Sequence, residues 1–210
     1  GNGNADIING GGGDDNIDGR GGNDEINAGA GDDIITVSSA GQGDGDTIDG
    51  GSGTDTLSLS SGSHAFATDA KLQNINSITL ASTSTVIDLT GQTESLTITG
   101  GAQADTITAG SGDDIINGAG GADIIKGAGG IDTISLGSSD SASDIIIFDA
   151  SSGMDIIQQF TAGATNGDIL KYIGNLTDSE SSANTSTGSD NTDNLLSVSY
   201  THLRAHETSN

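Results

Sequence analysis

The stretch Gly10-Gly11-Gly12-Gly13-Asp14-Asp15-Asn16-Ile17-Asp18 is a nine-residue unit of the form G-G-x-G-x-D-x-U-x, with U a large aliphatic. It belongs to a series. Upstream, Gly1-Asn2-Gly3-Asn4-Ala5-Asp6-Ile7-Ile8-Asn9 keeps the frame with asparagines at two glycine positions, and Asn tolerates the left-handed backbone such a turn needs. Downstream units run from Gly19 to Asn27 and from Ala28 to Thr36, with Asp24 and Asp33 in register. Residues Val37 to Ala40 push the frame forward by four, and Asp46 with Ile48 and Asp55 with Leu57 resume it. A second block opens at Gly100 and runs through Asp105, Asp114, Asp123 and Asp132, each followed two places on by isoleucine. After Ser135 the units at Asp144, Asp155 and Asp168 keep the aspartate and aliphatic but lose most glycines. A fixed period of this kind signals a solenoid.

The spacing itself points to a metal. Three residues, x-U-x, suffice for a short strand with U inward, and the six before it must reverse the chain. Glycines permit the reversal because they adopt positive φ without a Cβ penalty. Two units make one coil, so units eighteen residues apart stack, placing Asp6 over Asp24, Asp15 over Asp33, Asp105 over Asp123 and Asp114 over Asp132. Stacked carboxylates repel one another strongly unless a cation sits between them. Hard oxygen ligands, several of them main-chain carbonyls, suit Ca²⁺ better than Mg²⁺ or Zn²⁺.

Between the blocks, Leu59 to Thr99 lacks these turns but contains alternating runs such as Ser77-Ile78-Thr79-Leu80 and Ser95-Leu96-Thr97-Ile98-Thr99. Alternation with β-branched residues predicts strands, so the coil is expected to continue without metal turns. A short helix is weakly signalled around Asp69 to Asn74.

These units resemble the RTX (repeats-in-toxin) calcium-binding nonapeptide family, also known as hemolysin-type repeats. The resemblance covers Gly1 to Leu57 and Gly100 to Ile134, and Asp144 to Leu170 only loosely. It implies an all-β chain, a right-handed parallel β-roll or β-solenoid holding several Ca²⁺ ions. In that family one ion is held by position-six aspartates and turn carbonyls of two stacked units. Residue by residue, this implies Asp6, Asp15, Asp24, Asp33, Asp46, Asp55, Asp105, Asp114, Asp123 and Asp132 as metal ligands. The carbonyls implied are those of Gly11, Gly13, Gly29, Gly31, Gly51, Gly53, Gly101, Gly110, Gly112, Gly121 and Gly130. At Arg20, Gln103 and Ala119, where the glycine pattern lapses, a backbone oxygen is expected to serve instead. Asp14, Asp32 and Asp113 are expected to face solvent and to tune affinity only through charge. The family also implies type I secretion in an unfolded state and folding outside the cell, where calcium is millimolar.

Composition agrees. Glycine accounts for 35 of 210 residues and the net charge is −25, so burial alone is a poor driving force and acidic self-repulsion opposes folding. The bland alternative, a disordered acidic chain, does not explain an aliphatic two places after each aspartate; it is the expected state without calcium. There is no G-x-x-x-x-G-K-[ST] phosphate loop, no basic patch for nucleic acid and no apolar stretch long enough to span a bilayer. With no cysteine, no disulfide stabilises the chain. Gly1 starts inside a repeat, so the chain is expected to be a fragment.

No catalytic constellation stands out: G-x-S-x-G is missing, and His64 in its Ser-rich surroundings reads as solvated. Tyr200-Thr201-His202-Leu203-Arg204-Ala205-His206 departs from the composition before it and resembles the adapter-derived tail of some metagenomic gene predictions. The resulting division is a first repeat block (1–58), a Ser/Thr-rich β segment (59–99) and a second block (100–135). Degenerate repeats forming a β cap (136–176), an acidic linker (177–196) and the non-native tail (197–210) follow.

The preferred reading is a non-catalytic segment of a secreted bacterial surface protein, an S-layer protein or adhesin, with cell-surface polysaccharide or like subunits as further partners. The alternative is the secretion and folding module of a secreted protease or lipase. Ice binding would want a regular outward threonine array, and position three of the units, Gly3, Gly12, Gly21, Ala30, Gly43 and Ser52, does not supply one.

Overall fold

The structure is a computed structural model that describes residues 1–38, 45–137, 142–149, 151–161, 167–173 and 195–199. Each x-U-x tail forms a strand, which buries its aliphatic everywhere but at the ends of the coil, where Ile8 is half-buried and Leu170 exposed, and each glycine turn sends the chain to the opposite wall. One wall is a single sheet of β2 (Asn16–Asp18), β4 (Ile34–Val37), β6 (Thr56–Leu59), β9 (Ser77–Leu80), β11 (Thr97–Thr99), β13 (Ile115–Asn117), β15 (Thr133–Ser135), β17 (Met154–Gln158) and β19 (Leu195–Ser199). Its strands are parallel except β19, which pairs antiparallel with β17.

The other wall is built from two sheets. The first comprises β1 (Ile7–Gly12), β3 (Glu25–Ala30), β5 (Thr47–Ser52) and β8 (Leu72–Gln73). The second comprises β7 (Gly62–Ala65), β10 (Thr85–Asp88), β12 (Thr106–Thr108), β14 (Ile124–Lys126), β16 (Ile145–Phe148) and β18 (Ile169–Tyr172). The chain leaves β6, opens the second sheet with β7, then closes the first with β8 before rejoining the continuous wall at β9. This seam lies inside the segment without glycine-aspartate turns. It contains a 3₁₀ turn at Asp69–Lys71 followed directly by β8, where a short helix was expected. The β-branched and aliphatic neighbours there favour extended backbone, and β8 finds a ready partner in β5.

The core is a column of aliphatics in register. Along the continuous wall Ile17, Ile35, Leu57, Ile78, Ile98, Ile116, Ile134 and Ile157 stand next to one another. All are buried. Along the second sheet the column starts with His64, which is paired with Ile87 and fully buried, with Nε2 2.9 Å from the Ser60 carbonyl. His64 is therefore not solvated, as its polar neighbours suggested; strand alternation turns it inward while Ser63 faces out. The four-residue insertion after Thr36 is absorbed by lengthening one coil, so that Asp24 and Asp46 meet 22 residues apart instead of 18. Of the terminal segments, residues 177–194 and 200–210 lie outside the described residues.

Ile98→Ala, which empties a fully buried slot, should destabilise the folded chain by about 2–5 kcal/mol in a urea titration at saturating calcium. Ile115→Ala, at a site 56% exposed, should change it by no more than about 0.5 kcal/mol.

Candidate metal centre

Each position-six aspartate from Asp6 to Asp132 sits immediately before a strand, at the point where the turn delivers the chain to a wall. There its carboxylate meets the main chain of the preceding coil. The N–H of Asp6 donates to Asp24 Oδ1 (2.9 Å) and that of Asp24 to Asp46 Oδ1 (2.8 Å). On the other edge Asp15 donates to Asp33 (2.7 Å), Asp33 to Asp55 (2.9 Å) and Asp55 to Asn76 Oδ1 (2.7 Å). In the second block Thr85 donates to Asp105, Asp105 to Asp123, and Asp123 to Asp144, at 2.7–2.8 Å. Leu96 donates to Asp114 (2.8 Å), Asp114 to Asp132 (2.9 Å) and Asp132 to Asp155 (3.1 Å). The ladder extends to Asp168, which accepts from Asp144 at 3.0 Å. The eighteen-residue stacking holds, Asp46 and Asp55 join across the insertion, and Asp144, Asp155 and Asp168 join despite their lost glycines.

From Asp24 and Asp33 onward Oδ1 is committed to this ladder, which leaves Oδ2 as the second oxygen of the carboxylate. Asp24, Asp33, Asp46, Asp55, Asp105, Asp114, Asp123 and Asp132 are each 3% exposed or less, whereas Asp6 and Asp15 at the first coils are half-buried. The Oδ2 atoms of Asp15, Asp33, Asp55 and Asp132 are buried without a hydrogen-bond partner. Those of Asp6 and Asp105 accept the N–H of the residue at position two of their own unit, Asn2 and Gly101, at 2.7 Å. The glycine at position one walls this oxygen. A Cβ on Gly10 would lie 2.7 Å from Asp15 Oδ2, one on Gly50 2.8 Å from Asp55 Oδ2 and one on Gly118 2.6 Å from Asp123 Oδ2. Position one was visible as a consensus glycine, but only the fold shows that it makes room beside the carboxylate.

Of the turn glycines, Gly11, Gly13, Gly29, Gly31, Gly51, Gly53, Gly121 and Gly130 take positive φ, whereas Gly101, Gly110 and Gly112 do not. These last three are needed for space: a Cβ on them would collide with the carbonyls of Ala81, Gln92 and Glu94 in the preceding coil. Arg20 and Ala119 hold the turn with φ of 66° and 70°, at a cost of about 1–2 kcal/mol each. Asp14, Asp32 and Asp113 are exposed as expected, but they do more than set charge. Their Oδ1 atoms accept the N–H of Asp32 (2.9 Å), Thr54 (2.8 Å) and Ile131 (2.7 Å) in the following coil.

The electrostatics follow from the burial. Desolvation raises the carboxyls of Asp46, Asp55, Asp105 and Asp155 above the usual range. It pushes Asp114 up to about 6 against the opposing pull of the Leu96 N–H. Asp132 reaches about 7, with the carboxylates of Asp155 and Asp114 adding to its desolvation. Among the described residues no three Asp, Glu, His or Cys side chains converge on one point. A cation here would draw on paired Oδ2 atoms and main-chain oxygens, the donor set of a hard ion such as Ca²⁺. The partnerless Oδ2 atoms and the room left by the position-one glycines fit such an ion.

In the coils between the blocks, protein groups occupy the corresponding places. Lys71 Nζ donates to the Gly45 carbonyl (3.1 Å) at the end of the Asp6–Asp24–Asp46 column, and its charge favours the ionised form of Asp46. Asn76 supplies the neutral acceptor above Asp55. Gln92, 1% exposed, donates through Nε2 to the carbonyls of Phe66 and Thr68, both at 3.0 Å, so the amide of one coil binds two oxygens of the coil before it.

The family model of the RTX calcium-binding nonapeptide repeat matches this chain in four copies, over residues 1–35, 40–63 and 97–140. These stretches are RTX calcium-binding repeats. A comparison with curated proteins finds no match. The RTX match stops at residue 63 and resumes at 97, and Lys71, Asn76 and Gln92 all fall in that gap. Calcium binding by a β-roll follows from the RTX repeats.

Two outcomes test this electrostatic picture. A carboxyl raised on folding contributes stability that is complete below its unfolded value near 4 and is lost as pH rises through its folded value. In metal-free buffer the residual β-structure of the RTX chain should therefore be greatest near pH 4 and fall towards pH 7, following Asp114 and Asp132, and saturating calcium should remove that fall. Lys71→Met should lower stability in a urea titration at saturating calcium by up to about 1.5 kcal/mol, the partial exposure of Lys71 keeping the loss small.

Proposed function

We propose that the chain is a calcium-gated, non-catalytic β-roll, a segment of a larger secreted bacterial surface protein such as an S-layer protein or adhesin. The observation that carries the calcium reading is the set of buried Oδ2 atoms without hydrogen-bond partners on Asp33, Asp55 and Asp132, whose Oδ1 atoms already accept a main-chain N–H. Burying unpaired carboxylates is costly, and a chain of net charge −25 has no surplus of cationic side chains to offset them.

The residues assigned to hold calcium are Asp6, Asp15, Asp24, Asp33, Asp46, Asp55, Asp105, Asp114, Asp123 and Asp132 through Oδ2, with the carbonyls of the turn glycines. Calcium bound there supplies the positive charge that keeps these carboxylates ionised in a dry column. The chain's own part is to aim each carboxylate with the preceding coil's N–H and to leave space through the position-one glycine. If the sites resemble extracellular modules with dissociation constants of roughly 10⁻⁴ M, millimolar calcium contributes about 1.4 kcal/mol per site.

Gating by calcium suits export through a type I apparatus. In calcium-poor cytosol the acidic chain stays unfolded, and outside it folds. The alternation of RTX coils with coils whose turns are closed by Lys71, Asn76 and Gln92 supports a long structural element of a surface protein.

Far-ultraviolet circular dichroism during a calcium titration should show a cooperative gain of β-structure in the millimolar range. No gain up to tens of millimolar calcium would refute the metal-gated fold. Asp114→Asn should weaken calcium binding and lower cooperativity by removing the charge on an Oδ2 shared between coils. Asp113→Asn should do little, because an amide oxygen still accepts the Ile131 N–H; equal effects would contradict the assignment.

A further inference from the structure

The outer surface of the continuous wall differs from the rest of the chain. The outward residues of three successive strands are Thr56 and Ser58, Ser77 and Thr79, and Thr97 and Thr99, on either side of the buried Leu57, Ile78 and Ile98. Strand pairing sets Thr56 beside Ser77 beside Thr97, and Ser58 beside Thr79 beside Thr99. The result is two parallel ranks of hydroxyls, roughly 4.8 Å apart along each rank and about 6.6 Å between ranks. From β4 to β17 no outward residue of this wall is charged, although the chain carries a net charge of −25. The opposite wall, by contrast, bears Asp88 and Lys126, the latter paired with Asp149 at 2.6 Å. The outward residues of these strands correspond to the seventh and ninth positions of the unit, not to the third.

We propose that this wall binds ice. The binding face is a lattice of neutral hydroxyls and methyls. Threonine is stiff at χ1, so Thr56, Thr79, Thr97 and Thr99 hold their hydroxyls and methyls in place, and Ser58 and Ser77 add hydroxyls in the same ranks, as a crystalline surface of neutral donors and acceptors requires. A protein partner fits less well. Seven strands at roughly 4.8 Å make a strip of on the order of 300 Å², against the roughly 800 Å² per partner of a stable complex, and the aromatic and arginine anchors of such interfaces are missing from its outward positions. The inference rests on the coil's geometry, not on which oxygens hold calcium.

The test uses the full chain, folded in saturating calcium as verified by circular dichroism, and measures its partition into a slowly growing ice front together with thermal hysteresis. The chain should enter the ice. The double variant T79K/T97K should remain folded and partition about tenfold less, whereas T106K on the opposite wall should behave as the parent. Exclusion of the folded parent from ice, or equal partition of parent and T79K/T97K, would overturn the proposal. So would retention on insoluble cellulose or chitin, or self-association in sedimentation, lost in T79K/T97K while ice partition is unchanged. A chain that stays unfolded in calcium would refute the gated fold and also remove the wall on which this proposal depends; a folded chain excluded from ice would refute the ice reading alone.

Discussion

The structure depends on one hydrogen bond repeated from coil to coil, the main-chain N–H before each strand donating to the aspartate Oδ1 of the next coil. It satisfies a backbone donor that a turn would otherwise leave buried and unpaired. It also fixes the rotation of every carboxylate, so that Oδ2 is presented in the same way at each level. Hydrogen bonds to ionised acceptors are stronger than neutral ones, which couples the integrity of the coil to the charge state of the column. The same residue thus joins two functions, closing the backbone and offering an oxygen.

Much of this was legible in the sequence. The nine-residue period placed Asp15 over Asp33 and Asp114 over Asp132, and the paired strands place them so. What stayed hidden was the division of labour within one carboxylate, because a one-letter code does not distinguish Oδ1 from Oδ2. Asp14, Asp32 and Asp113 likewise read as solvent charges, since only the coil pitch brings the N–H groups of Asp32, Thr54 and Ile131 within their reach. The seam between β7 and β8 has no period at all to read. His64 turned out to be a core residue because its place in an alternating strand, not the polarity of its neighbours, decides which way it points.

In the coils between the RTX blocks, side chains of the protein make contacts where the flanking coils carry the aspartate ladder. Lys71 brings an ammonium, Gln92 an amide and Asn76 a neutral acceptor to the places where the flanking coils present carboxylates and carbonyls. These are fixed covalently, so their contribution does not vary with the surroundings. RTX coils and the coils between them are stacked in one solenoid and share one core.

The seam has a mechanical meaning. Stacked coils contact only their neighbours, so cooperativity passes from level to level. At β7 and β8 one wall ends and restarts, while the other continues without a break from β2 to β17. Among the described residues the intact wall is the one sheet that carries strands of both blocks, so main-chain pairing passes from one block to the other through it alone, alongside their common core.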